Sequence, residues 1–523
     1  MYFGQLTTLD ASIAFHAERR PDQLALLCED RWLTYAELHR RSNRAARALI
    51  AAGAGSGTRV VYLGQESEHY YVLLFACAKS GTVLVPVNWR LTPPEVEHVL
   101  KDSGSRIVFV EPEYSPVVKR AAAGLAEPLT EIELIAASDG GPAFAAWLGN
   151  ASGTELDSPA GPDDPIVQMY TSGTTGLPKG VVLAHRSFFR VRDALAGAEL
   201  DWIDWREGDV SLIGVPGFHI GGLWWATQGF NAGVTNIALR TFTSAEAVAA
   251  IREYQVTVTC VVPAMLQLML SERSVTAADF ASLRKVVYGG SPIGESLMRL
   301  CIERIGCEFA QIYGLTESGN TAVCLPPSEH VVGGARTLAA GRPYPGFAIE
   351  VRDKNGAALP SRAIGEVWIR TPARMLEYWG LPEATAQTVV DGWLRTGDAG
   401  YLDEDGFLFL CDRIKDMIVV AGENVYPAEV ENVLATHGSV VEAAVVGIPD
   451  ERWGEAVHAF VVLAPEAKAS PRELMMFARS RLADFKIPTS YEYLDALPRN
   501  ASGKILRRRL RESFWQGRTR NVN

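Results

Sequence analysis

Cysteine is sparse in this 523-residue sequence, and its spacing is uninformative: Cys28, Cys77, Cys260, Cys301, Cys307, Cys324 and Cys411 are odd in number and include no CxxC pair. That pattern excludes a secreted disulfide framework and a structural zinc site. There is no basic excess either. With 50 Lys and Arg against 61 Asp and Glu the formal charge is −11, which argues against a general nucleic-acid binder, because neutralising phosphates needs a basic surface. No apolar stretch runs uninterrupted for about 18 residues, so no membrane span is expected. The opening MYFGQLTTLD lacks a basic segment followed by an apolar one, so no signal peptide is expected and a cytoplasmic location is. What is present is ordinary for a globular protein: 48% apolar and 21% charged residues. At roughly 100–200 residues per domain the length suits three or four compact units.

Short apolar runs alternate with amphipathic stretches over most of the chain. RVVYLG (59–64), TVLVPV (82–87), RIVFVE (106–111), VTVTCVV (256–262) and RKVVYGG (284–290) read as buried strands. Residues 35–53 and 93–104 read as helices between them, and this order predicts α/β layers with largely parallel sheets. Residues 137–164, rich in Ala, Gly, Ser, Pro and Asp, read as a surface connection. The character changes after residue 340, where GRPYPG, DKNG and DEDG mark turns between short strands. A further unit begins near Lys415, with a helix opened by Pro427 and strands at EAAVVGI and HAFVVLA. Trp453 reads as packing on that sheet, and the basic run RRRLR near the end as a solvated helix end.

The stretch richest in chemistry is Tyr170-Thr-Ser-Gly-Thr-Thr-Gly-Leu-Pro-Lys-Gly180. Its glycines and hydroxyl residues, closed by a lysine, suit phosphate oxygens. It is not a Walker A loop: counting from Gly173, Pro178 stands where the second glycine belongs, and Gly180 follows the lysine. This run resembles the phosphate loop of the adenylate-forming superfamily, which holds acyl-CoA synthetases, adenylation domains and luciferases. Five further stretches resemble that family's motifs in order: Tyr313-Gly-Leu-Thr-Glu317, Leu394-Arg-Thr-Gly-Asp398, Asp412-Arg-Ile-Lys415, Gly422-Glu-Asn-Val-Tyr-Pro427 and Pro498-Arg-Asn-Ala-Ser-Gly-Lys504. The similarity extends over residues 10–515, in the acyl-CoA synthetase branch.

The resemblance implies an α/β fold. A large N-terminal AMP-binding domain (1–412) would hold stacked, mostly parallel sheets and a small β-rich part. A hinge (413–416) would join it to a mobile α+β C-terminal cap (417–523) carrying the catalytic lysine. It implies that a carboxylate attacks the α-phosphorus of ATP to give acyl-AMP and pyrophosphate, and that a thiol then displaces AMP. On that reading Thr171, Ser172, Gly173, Thr174, Thr175, Gly176 and Lys179 hold the β- and γ-phosphates. Thr316 touches the α-phosphate and Glu317 ligates Mg²⁺, a hard ion suited to carboxylate oxygens. Asp398 accepts both ribose hydroxyls with help from Arg413. Gly289, Gly290, Ser291, Gln311, Ile312, Tyr313 and Gly314 frame the adenine. Lys504 is the catalytic cation of adenylation, delivered when its loop closes. Lys415 is the hinge residue, and Gly422, Glu423 and Asn424 line the tunnel for the thiol arm.

His219, in PGFHIGG, falls where the family gates the acyl pocket, and Trp224, Tyr288, Gly314, Ser318 and Asn320 are its candidate walls. None of these is charged, which favours an apolar or aromatic monocarboxylate over diacids and amino acids. The substrates expected are ATP, a small carboxylic acid and coenzyme A, with no nucleic-acid partner and a homodimer left open. A stand-alone adenylation enzyme loading a carrier protein is the alternative, ahead of an inactive nucleotide-binding scaffold and a luciferase-like oxygenase.

Overall fold

The computed structural model describes residues 1–135, 140–157, 160–171, 177–421, 423–499 and 505–516, with the backbone alone at Lys415. Among these residues the strands form four sheets. In the nine-stranded sheet, six strands lie parallel side by side: Leu24–Cys28, Thr235–Ala238, Val210–Ile213, Val258–Val261, Lys285–Gly289 and Glu308–Tyr313. The seven-stranded sheet runs parallel through Thr130–Glu133, Ile107–Val110, Arg59–Leu63, Val83–Val87 and Pro165–Thr171. It then turns antiparallel through Lys179–Ala184 and the two-residue strand Glu377–Tyr378.

Strands buried on both faces read as unbroken apolar runs, because successive side chains enter different cores. Val60 and Tyr62 point into a core shared with the nine-stranded sheet, while Val61 and Leu63 point into a second core under helices Pro93–Ser103 and Ser115–Ala122. The shared core also encloses helix Glu68–Ser80, all of whose residues are buried, and helix Ile220–Ala232. The five strands expected from sequence are all present. The 137–164 connection differs from expectation, since it contains a helix, Gly141–Leu148. Phe144 of that helix is buried and packs with Trp147 against Phe109. Two aromatic anchors order a segment whose Ala and Gly content reads as connection.

The third sheet is antiparallel, and its last hairpin joins Trp393–Leu402 to Leu408–Arg413. The DEDG turn closes that hairpin, with Asp403 N donating to Phe407 O at 2.9 Å and Gly406 at φ +79°. This register sets Asp398 opposite Arg413. After the short turn Ile414–Asp416 the chain enters the fourth sheet at Ile418–Val420. That sheet holds Glu423–Val425, Val440–Asp450, Gly454–Leu463 and Ser490–Tyr493, with helix Pro427–Ala435 packed on it. Trp453 does not pack on the sheet. It is 43% exposed, under the Arg452 guanidinium.

Candidate active site

Asp398 and Arg413 begin as cross-strand neighbours, and the pairing becomes chemical through their side chains. Arg413 Nε lies 2.6 Å from Asp398 Oδ1, and the Tyr313 hydroxyl donates to Asp398 Oδ2 at 2.6 Å. An ionised carboxylate has about four lone-pair sites, so each oxygen can still accept a sugar hydroxyl beside its present partner. Burial, followed by the Asp398 charge, pushes the Tyr313 phenol well above its ordinary value, so Tyr313 is a donor here. Burial works against the charge of Arg413, but Asp398, Tyr313, Glu317 and Asp416 outweigh it and hold the guanidinium cationic.

Glu317 stands in a tight turn, Thr316–Ser318, just beyond strand Glu308–Tyr313. Lys179 opens the strand antiparallel to Pro165–Thr171, with Thr171 as its cross-strand partner. Tyr378 joins the two. Its hydroxyl donates to Glu317 Oε1 at 2.7 Å, and Lys179 Nζ sits 4.8 Å from its ring centroid. The strand carrying Tyr378 pairs with Val181 and Val182, and the neighbouring Met375 N–H donates to Glu317 O at 2.8 Å. Tyr378 was not among the residues picked from sequence. Its one signal is the aromatic pair in EYWG, 61 residues from the carboxylate it meets. His98 adds a further anchor, its Nε2 lying 2.8 Å from Pro178 O beside Lys179.

Thr171, Gly289 and Tyr313 all lie at carboxyl ends of parallel strands, the usual location of a ligand crevice in α/β sheets. Gly289 needs to lack a side chain, because a Cβ there would stand 2.5 Å from Ile312 O. Gly290 adopts φ +81°, which favours glycine. Ser291 is half-buried and Ile312 is buried, whereas the Gln311 side chain is occupied by the Tyr288 hydroxyl at 3.1 Å.

On the acyl side, His219 caps helix Ile220–Ala232. Burial, then the charge of Arg90, lowers its imidazole to about 4, so the ring is neutral. His219 Nε2 and Asn320 Nδ2 are both buried without a hydrogen-bond partner among the described residues. Asn320 sits at φ +87°, and a Cβ on Gly221 would reach its Oδ1 at 3.8 Å. A Cβ on Gly314 would stand 2.4 Å from Asn320 O and 2.7 Å from Ser318 Oγ. Gly314, Ser318 and Asn320 are thereby brought together, with Gly221, two residues after His219, approaching Asn320, although the Ser318 hydroxyl is tied to the Leu315 main chain. Trp224 is buried in the shared core behind them.

Tyr288 is not brought to this group. It points to the outer face of the nine-stranded sheet, because it alternates with Val287, and it bonds Gln311 and His330. Glu423 and Asn424 are exposed on an edge strand of the fourth sheet. Ser172, Gly173, Thr174, Thr175, Gly176, Gly422 and Lys504 lie outside the described residues, as does the side chain of Lys415.

The chain matches the family model described as AMP-binding enzyme over residues 13–379, and that of the AMP-binding enzyme C-terminal domain over residues 429–504. It is 61% identical to a fatty acid–[acyl-carrier-protein] ligase, ScoC, of Streptomyces coeruleorubidus, covering 100% of this chain and 99% of that one. It is 38% identical to a feruloyl-CoA synthase of an Amycolatopsis species, covering 92% and 94% respectively. Its fold superposes on the crystal structure of the anthranilate CoA ligase AuaEII in complex with anthranoyl-AMP. That match has a TM-score of 0.88 and 26% identity, and covers 97% of each chain. With both family models matched in order and relatives aligned end to end, the chain belongs to the adenylate-forming AMP-binding enzymes.

Proposed function

We propose that this enzyme activates a fatty acid with ATP to an acyl-adenylate and passes the acyl group to the thiol of a carrier protein, releasing AMP and pyrophosphate. The observation that carries the acceptor is the 61% identity, over the whole chain, to a fatty acid–[acyl-carrier-protein] ligase. This ranks the carrier protein ahead of coenzyme A, the reverse of the order expected from sequence. Coenzyme A remains the second reading, favoured by the 38% identity to a feruloyl-CoA synthase. The uncharged set His219, Gly314, Ser318 and Asn320 suits an apolar acid. In this reading the enzyme works in the cytoplasm, where ATP and carrier proteins are. Among the described residues no helix is long and apolar enough to cross a membrane.

In this reading Asp398 receives the ribose hydroxyls while Arg413 and Tyr313 hold its carboxylate in place. Thr171 and Lys179, with Ser172 to Gly176, meet the phosphates, and Thr316 meets the α-phosphate. Glu317 offers the carboxylate donor that a hard divalent cation takes, and Mg²⁺ would supply charge neutralisation on the phosphate oxygens. Lys504 supplies the cation where charge accumulates on the α-phosphate. The unit 417–523 would turn about 413–416 between the two steps. The third sheet ends at Arg413 and the fourth begins at Ile418, which supports that division.

The test is pyrophosphate release with Mg-ATP across short, medium and long fatty acids, benzoates and cinnamates, each run without acceptor, with coenzyme A and with a phosphopantetheinylated carrier protein. Multiple turnover with a fatty acid and carrier protein alone is expected. Turnover with coenzyme A instead would replace the acceptor, and absence of release with every acid would refute the ligase reading. Tyr378→Phe should fold normally and raise the KM for Mg-ATP about tenfold, because one hydrogen bond to a charged group is worth at least about 1.5 kcal/mol. An unchanged KM would show that Tyr378 does not hold Glu317 for the nucleotide.

A further inference from the structure

The loop presenting Phe218 and His219 is held from behind by side chains of one short stretch of the seven-stranded half. Gly217 N–H donates to Glu66 Oε2 at 2.8 Å, and Gly217 O accepts from the Tyr70 hydroxyl at 2.8 Å. Both polar groups of Gly217 are thus met by side chains instead of by a strand or helix partner. The fit is close, since a Cβ on Gly217 would stand 2.6 Å from Tyr70 Cε1. Glu66 is 5% exposed, and its other oxygen accepts from the Tyr71 hydroxyl. Among the described residues no cation pairs with it.

A buried carboxylate served only by an amide and a phenol is costly, and the fold keeps it where it touches the loop carrying His219. Just beyond that loop, His219 Nε2 and Asn320 Nδ2 lie buried without partners among the described residues. The polar anchor at Gly217 and the unfilled ring nitrogen of His219 therefore lie two residues apart on one four-residue segment, Pro216–His219. We infer that Glu66 is a positioning residue for the acyl end of the site: through Gly217 it fixes Pro216–His219, and with it the place of the His219 ring. This rests on the reading of His219 and Asn320 as the acyl end.

The grip depends on Glu66 being a carboxylate, since only that form accepts on both oxygens without also needing an acceptor. Burial pushes its carboxyl up to about 7, with Tyr71 and Gly217 opposing and Glu111 adding to the rise. The other ionisable groups facing it are Tyr62, Tyr70, Cys28 with the neighbouring Arg31–Glu68 pair, and Arg240, which is bound to Glu111 at 3.0 Å through both terminal nitrogens. The grip should therefore be complete above that value and lost as the pH falls through it.

The experiment measures the KM for the fatty acid and for ATP from pH 6 to 8, in wild type, Glu66→Ala, Glu66→Gln and Tyr70→Phe. Glu66→Ala is expected to raise the acid's KM about tenfold with ATP's within about twofold, and Glu66→Gln, which like the protonated acid keeps one acceptor and turns a donor toward the other partner, to hold at every pH the raised KM that wild type approaches at pH 6. The wild-type acid KM should climb toward pH 6, and that of Glu66→Gln should stay level. Tyr70→Phe removes one O–H and keeps the test readable if Glu66→Ala does not fold; it should raise the acid's KM about threefold and leave ATP's alone. An unchanged acid KM, or equal rises in both KM values, overturns the inference. An active wild type indifferent to Glu66 refutes this inference alone, whereas a wild type with no acid-dependent pyrophosphate release overturns the underlying reading together with it.

Discussion

Lys504→Ala should lower adenylation about a hundred- to a thousandfold and leave acyl transfer from supplied acyl-adenylate within about threefold of wild type. The size follows from the cost of removing one preorganised donor from a site where charge develops, about 10²–10³ in rate. The asymmetry follows from the chemistry. In the first step the attacking carboxylate and the α-phosphate are both anionic and must be brought together, so a cation bridging them acts mainly in the transition state. In the second step a thiol attacks a neutral acyl carbon and AMP departs, and a lysine posted at the first geometry has little to stabilise. The stretch 500–504 lies outside the described residues, but its flanks are joined. Arg499 and Ile505 form an antiparallel bridge, Leu506 N–H donates to Pro498 O at 2.8 Å, and Arg499 pairs with Glu442 at 2.5 Å. Acid-dependent pyrophosphate exchange reads the first step, and AMP release from synthetic acyl-adenylate plus acceptor reads the second. Equal losses in both would sink the role assigned to Lys504.

The parts of this molecule legible in sequence are those in which one local rule decides. Arg59–Leu63 and Lys285–Gly289 read as strands because a parallel strand covered on both faces is apolar throughout. Asp398, Arg413, Tyr313, Glu317 and Lys179 were nameable from short motifs, and the structure brings the first three into direct contact and links the last two through Tyr378. What sequence hid are the contacts that only topology makes. Tyr378 reaches Glu317 because a two-residue strand adds to the edge of the seven-stranded sheet, and two residues carry no periodicity. Glu66 meets Gly217 across 151 residues, between loops that follow strands of different sheets. Tyr288 shows the opposite error. The family resemblance suggested the acyl pocket, but the two-residue period sends its ring to the other face with Val286.

The basic run near the end is the largest departure from a solvated helix end, and it carries the second large effect. Arg507→Met should destabilise the chain by about 3–5 kcal/mol at pH 8, the cost of breaking a buried ion pair by removing one partner. Arg507 opens the helix Arg507–Arg511, but its guanidinium is turned inward. Its Nε and one terminal nitrogen donate to Glu431 at 3.2 and 2.7 Å, and its other terminal nitrogen lies 3.5 Å from Asp412. Among the described residues both carboxylates are otherwise met only by main-chain N–H groups: Arg413 and Ala428 on Asp412, and Val445 on Glu431. One cation therefore ties the helix Arg507–Arg511 to Asp412, just before the turn Ile414–Asp416, and to the helix Pro427–Ala435 after it. Burial already raises both carboxyls against the pull of Arg507, so without Arg507 both rise further. A carboxyl with a raised folded value binds its proton more readily in the folded than in the unfolded chain. Stability then falls as pH rises through that window, and the deficit of Arg507→Met should shrink between pH 8 and pH 6. Arg508→Met, one residue along and exposed, should stay within about 0.5 kcal/mol of wild type. Urea unfolding of the three proteins at both pH values decides the matter: if Arg507→Met and Arg508→Met unfold together, the inward pairing of Arg507 contributes nothing to the fold.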